Sequence, residues 1–355
     1  MNRAVSSLLT RHAARLGSFC TSSSSSSPAS EAWDGRFRLH KPRGQHLLTN
    51  PRILDAIVRH AALRPGDAVL EVGPGTGNLT ARLLASPVHH VTAVEIDPRM
   101  VEAVTARAAA LDLAQKLTVL QDDAVEADFP EFDVCVANIP YGISSPLIAK
   151  LLFGAYRFRT ATLLLQKEFA QRLVAVPGDS EYNRLAANVR LVADVKLLMD
   201  VSKRDFVPMP RVDSSLVEIR PRAAMPDVDL PEWLAFTREC FGQKNKTLGA
   251  IFKQKRKVLD LFKRSQRTER CAGDATGNGI IPGVLDDSND EVCSGDDESS
   301  DRVAGFREEE VGAFKERIAS ALDSSELAGK RPSKMSNDEL LCLLKLFNER
   351  GIRFQ

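Results

Sequence analysis

The stretch Ala68-Val69-Leu70-Glu71-Val72-Gly73-Pro74-Gly75-Thr76-Gly77-Asn78-Leu79 decides the fold. Ala68–Val72 reads as a strand, apolar except for Glu71, and Leu79–Leu84 opens a helix. Glycines between a strand and a helix let the backbone approach a ligand closely and leave amides facing it. The dinucleotide fingerprint places two residues between its second and third glycines. Here Thr76 alone separates Gly75 from Gly77, Asn78 stands at the dinucleotide position, and no phosphate-loop lysine follows. The spacing favours a nucleoside cofactor without a pyrophosphate.

The same alternation continues on the C-terminal side. Strands are predicted at Val91–Ile96, Leu117–Leu120, Phe132–Ala137, Ala161–Gln166, near Lys196–Asp200 and at Leu216–Arg220. Between them Val101–Leu111, Pro146–Phe153, Glu168–Ala175 and Arg184–Val192 carry helical patterns. This order predicts an α/β fold with a largely parallel sheet, helices on both faces and a ligand beyond the carboxyl ends of the strands.

Three of those strand ends carry the chemistry. Glu95 ends the second strand, where a carboxylate can accept both ribose hydroxyls through charge-assisted bonds. Asp123 is expected at the end of the third, where it can accept the exocyclic amine of an adenine. Glycine turn, ribose acid and adenine acid together describe S-adenosylmethionine. The fourth strand runs into Asn138-Ile139-Pro140-Tyr141. An amine on adenine is a poor nucleophile because its lone pair is delocalised into the ring. The Asn138 amide oxygen and the Ile139 carbonyl can accept its hydrogens and localise the pair. Pro140 fixes the direction of that carbonyl, and the Tyr141 ring offers the base a stacking face.

The net charge of +1 over 355 residues hides a strong polarity. Residues 1–30 hold three arginines and no acid; residues 241–270 carry +8 and residues 271–310 carry −10. Lys244, Lys246, Lys253, Lys255 and Arg256 crowd a helical region beside Phe241 and Phe252, a phosphate-binding pattern. Residues 231–263 read as helices from Pro231–Cys240, residues 265–310 as an irregular, Gly-, Asp- and Ser-rich insertion, and Asn337–Arg350 as a closing helix. The acidic insertion is an inert spacer, or it folds back on the basic block and competes with RNA. The Arg- and Ser-rich start describes an organelle transit peptide, mitochondrial on this reading, with chloroplast import or a low-complexity tail as competitors. The six cysteines show no CxxC pair and no metal spacing, and no apolar run approaches the roughly 18 residues of a membrane span.

With these motifs in place the chain resembles the ribosomal RNA adenine dimethyltransferases in their eukaryotic form. The matching stretches include Gly44-Gln45-His46-Leu47-Leu48, Glu71–Thr80, Glu95-Ile96-Asp97, Asp123-Ala124, Asn138–Tyr141, Gln166–Leu173, Phe206–Ser215 and Lys244–Leu248. The resemblance implies a Rossmann-like class I S-adenosylmethionine-dependent methyltransferase domain over residues 31–221 and a smaller helical RNA-binding domain over 222–355. It implies cofactor contacts from His46, Leu48, Gly73, Gly75, Glu95, Asp123 and Asn138, with Phe206 packing on the target base opposite Tyr141. The implied substrate is a pair of adjacent adenosines in the 3′-terminal hairpin loop of small-subunit rRNA, each methylated twice on N6 by a monomer acting on a pre-ribosomal particle. A mitochondrial location is expected, with chloroplast and nucleolus as alternatives. A non-catalytic assembly or transcription factor, or an N6 methylase of another nucleic acid, are the competing functions.

Overall fold

In a computed structural model of the chain, residues 46–243, 245–270 and 307–354 are described. The expected transit peptide, Lys244 and the bulk of the acidic insertion lie outside those residues.

The described residues open with a two-residue strand, Leu47–Leu48 (β1), and helix Pro51–His60 (α1), whose N-cap Asn50 accepts the Arg52 amide. Four strand-to-helix units and one further strand follow. They are Ala68–Val72 (β2) with Asn78–Leu84 (α2), and His90–Val94 (β3) with Pro98–Ala110 (α3). Next come Leu117–Leu120 (β4), Val134–Asn138 (β5) with Ser144–Phe153 (α4), and Thr160–Gln166 (β6) with Lys167–Val174 (α5). Helix Arg184–Val192 (α6) leads into Ala193–Val201 (β7), Phe206–Val207 (β8) and Ser214–Pro221 (β9). The C-terminal part is helical: Leu230–Phe241 (α7), Leu248–Phe252 (α8), Lys255–Arg270 (α9), Glu308–Ser325 (α10) and Asn337–Glu349 (α11).

Seven strands form one sheet in the order β4-β3-β2-β5-β6-β9-β7. The first five are parallel, and β9 and β7 run antiparallel to their neighbours. From β2 the chain winds one way to β3 and β4, then crosses back to β5 and β6. The reversal falls between β2 and β5, and their carboxyl ends splay to open a crevice there.

Alternate residues of each strand enter different cores, as a pleated strand buried on both sides requires. Leu70, Val72, Cys135 and Ala137 face one core, and Val69, Val134 and Val136 face the other. The second core is closed by α1 and α2. The first extends past α4 and α6 into Trp233, Phe236, Phe252, Phe347 and Phe354 of the C-terminal helices. Each such aromatic, fully buried, contributes roughly 1.5–3 kcal/mol. A fork between Arg159 and Asp67, at 2.9 and 2.7 Å, ties the starts of β6 and β2, and it holds the Asp67 carboxyl below the usual carboxylate range.

Two expectations need correction. The expected disordered insertion 265–310 overlaps helices at both ends, because α9 continues to Arg270 and α10 begins at Glu308. Asp123 does not end the third strand: β4 stops at Leu120, and Asp123 stands in the loop beyond it.

Candidate active site

The crevice at the β2/β5 reversal is walled by the glycine turn, the Asn138 motif, the residues just after β3 and the start of the described chain. Gly73, Gly75 and Gly77 all have positive φ (69°, 55° and 80°), a backbone that L side chains adopt only under strain. A Cβ on Gly75 would meet Leu47 Cδ2 at 2.7 Å, so that glycine also makes room for the segment above it. One on Gly73 would stand 3.4 Å from the Pro140 ring. The glycine turn and the Asn138–Tyr141 motif are therefore neighbours.

Glu95, buried immediately after β3, is gripped by two amides: Gly75 N–H donates to Oε2 at 3.2 Å and Asp97 N–H to Oε1 at 3.0 Å. Burial raises its pKa, with the two amides opposing. Glu71, in β2, is fully buried, and desolvation pushes its carboxyl up to about 8. Among the described residues, Glu71 Oε2 and Thr76 Oγ1, both on residues that line the crevice, make no hydrogen bond. Buried polar atoms are nearly always satisfied, so these two point to a polar ligand.

Residues 46–48 lie across the opposite wall. β1 pairs antiparallel with β8, Leu47 opposite Val207 and Leu48 opposite Phe206. The Asn78 side chain donates to the Leu48 carbonyl at 2.9 Å and accepts from Arg107 at 2.8 Å, which accounts for an asparagine at that helix start. His46 Nδ1 stands 2.7 Å from the Pro208 carbonyl, an acceptor only, so the proton sits on Nδ1. Asn138 Nδ2 donates to the His46 carbonyl at 3.2 Å. That engages the donor end of the amide, and Asn138 itself lines the crevice. The Tyr141 hydroxyl is 2.9 Å from Ser214 Oγ, and its ring is tilted 30° to His46 at 6.0 Å. Burial raises the Tyr141 pKa, so it stays a neutral phenol.

Among the sequence-derived residues, His46, Leu48, Gly73, Gly75, Glu95, Asn138, Ile139, Pro140, Tyr141 and Phe206 all line this crevice. Phe206 is only 3% exposed and belongs to the apolar core as well as to the wall. Asp123 is not among the lining residues. It stands at the same sheet edge, one residue past Asp122, whose amide donates to the Glu95 carbonyl at 3.2 Å. Three contributors were missed as site residues: Glu71, Thr76 and Ile96. Glu71 carried a signal, an acid inside an otherwise apolar strand. Ile96, 54% exposed in the wall beside Glu95, was counted as the end of a strand.

Of the basic block, Lys246, Lys253, Lys255 and Arg256 are exposed. Lys257 and Arg264 behave differently: both pair with Glu239 of α7, Arg264 at 2.9 Å. Among the described residues no cluster of ligating side chains could hold a metal ion.

The profile of the ribosomal RNA adenine dimethylase family matches residues 36–269. The chain belongs to that family. As a member it is an RNA adenine methyltransferase built on a Rossmann-like methyltransferase fold. A relative in Arabidopsis thaliana, named as a mitochondrial ribosomal RNA small subunit methyltransferase, is 53% identical over 324 residues, covering 90% of this chain and 82% of its own. A second from the same plant, a ribosomal RNA small subunit methyltransferase, is 43% identical and covers 92% of this chain and 95% of its own. The crystal structure of a dimethyladenosine transferase from Plasmodium falciparum superposes with a TM-score of 0.71 at 35% identity, covering 87% of this chain and all of the other.

Proposed function

We propose that this dimethylase transfers methyl groups from S-adenosylmethionine to N6 of two adjacent adenosines in the 3′-terminal hairpin loop of mitochondrial small-subunit rRNA. The observation that carries the reading is that Asn138, its amide nitrogen engaged by the His46 carbonyl, lines one crevice together with the glycine turn and Glu95.

The residues present fit that cofactor. Glu95 offers carboxylate lone pairs to a ribose, and Ile96 an apolar face to the adenine. The unsatisfied Glu71 Oε2 and Thr76 Oγ1 lie where a charged amino-acid end needs partners. His46, Leu48, Gly73 and Gly75 close around it, and Asp123 reads the exocyclic amine. When bound, the cofactor supplies a methyl group on a positively charged sulfur.

The target base must leave its stack, which is least costly in a loop. Tyr141 and Phe206 receive its faces. Asn138 Oδ1 and the Ile139 carbonyl accept the two N6 hydrogens and localise the lone pair toward the methyl carbon. The methylated amine is acidic and releases its proton to water, so no side-chain base is required. Most of the acceleration would come from these residues holding the N6 lone pair toward the methyl group that the bound cofactor would supply.

Exposed Lys246, Lys253, Lys255 and Arg256, with Lys244 beside them, would contact the phosphates of a pre-ribosomal small subunit, with the enzyme acting as a monomer. The mitochondrial assignment is supported by the acid-free, Arg- and Ser-rich start of the chain and by the name of the 53% identical relative. Primer extension across mitochondrial small-subunit rRNA tests the proposal. Loss of the paired dimethyladenosine stops in cells lacking the protein is expected; their persistence overturns the reading.

A further inference from the structure

Lys150 is the one charged residue of α4, and it is 2% exposed. Its ammonium donates to three backbone carbonyls of the loop after β4: Ala124 at 3.0 Å, Val125 at 3.1 Å, and Ala127. Three protons therefore meet three acceptors, a complete match for an ammonium. The Phe129 ring lies under the same nitrogen, its centroid 4.0 Å away. These carbonyls belong to the turn that Asp123 begins, where Asp123 Oδ1 accepts the Val125 amide at 2.8 Å and its carbonyl accepts the Ala127 amide at 2.7 Å. The helix bearing Lys150 starts only a few residues after Tyr141. A buried lysine is costly to desolvate, and an apolar residue would fill a site between Leu147 and Leu151 more cheaply.

We infer that Lys150 is a positioning residue: it holds the Asp123 turn in the place from which that carboxylate recognises the cofactor's adenine, and it joins that turn to the helix following the catalytic motif. The inference rests on the adenine-reading role proposed for Asp123.

Calorimetry with S-adenosylhomocysteine and with its analogue lacking the 6-amino group tests it. Lys150→Met should weaken the adenine ligand by about tenfold, the worth of one bond to a charged acceptor, and the 6-deamino ligand by under about threefold. Asp123→Ala should show the same selectivity, and adding Lys150→Met to it should not increase the selectivity further. Equal losses for both ligands in Lys150→Met, with Asp123→Ala still selective, overturn the inference. Equal losses in Asp123→Ala overturn the adenine reading and the inference with it. If Lys150→Met does not fold, Lys150→Gln, which keeps a donor, is read by the same criterion.

Discussion

Asn138 donates its side-chain amide to the backbone carbonyl of His46 at 3.2 Å, across 92 positions of sequence. The segment over the crevice thus sets which end of the Asn138 amide the protein engages; under the proposed function the other end receives the target amine. Asn138→Ala is expected to lower methyl transfer by roughly 10²–10³-fold, the usual cost of one electrostatic contact to a reacting group. Binding of S-adenosylhomocysteine, followed by calorimetry, should remain measurable. Asn138→Asp should be nearly as inactive, because a carboxylate cannot donate to His46.

Gly75→Ala should separate turn geometry from stability. The φ of 55° costs an L residue about 1–2 kcal/mol, and the new methyl must also displace Leu47. Cofactor affinity should fall with Tm. Gly66→Ala is the control: φ is 90° there but space is open, so Tm should drop while cofactor affinity holds. Differential scanning calorimetry with and without S-adenosylhomocysteine distinguishes the two.

The buried Glu71 makes stability depend on pH. Its carboxyl is raised from 4.5 to about 8 in the fold, so the folded chain keeps a proton that the unfolded chain releases. The favourable contribution is complete below about 4.5 and is lost as pH rises through about 8. Glu71→Gln should therefore flatten the fall of Tm across that window. Glu95, also raised, should leave a residual slope. Parallel Tm–pH curves for the two proteins would contradict this.

The basic helix should divide into two classes. Replacing Lys253 or Lys255, exposed on α9 or just before it, should reduce the salt dependence of RNA binding by roughly 0.7–1 in log–log slope per residue. Lys257→Met should instead cost about 1–3 kcal/mol of stability, because it leaves a buried Glu239 oxygen short of a partner. Filter binding at several salt concentrations, paired with urea denaturation, resolves the classes.

Strands β2, β4 and β5 and helix α6 were legible because local apolar patterning and glycine punctuation decide them. The acids after β3 and the motif after β5 were legible for a related reason: a parallel sheet delivers every strand's carboxyl end to one edge. Strand direction was not. β7 and β9 carry the same alternation as a parallel pair, and only their long-range partners make them antiparallel. The start of α10 was hidden because Glu308, Glu309 and Glu310 continue an acidic run, although acids suit a helix's first turn. Within the basic block, no local pattern tells Lys255 from Lys257. The buried Glu239 on another helix makes the difference.

The short pairing of β1 with β8 makes one wall of the crevice separable from the main sheet. Residues 46–48 contribute to that wall, engage Asn138 and roof Gly75, yet they belong to a two-stranded pairing apart from the seven-stranded sheet. A change confined to those residues would therefore reshape the crevice while the seven-stranded sheet keeps its strand order.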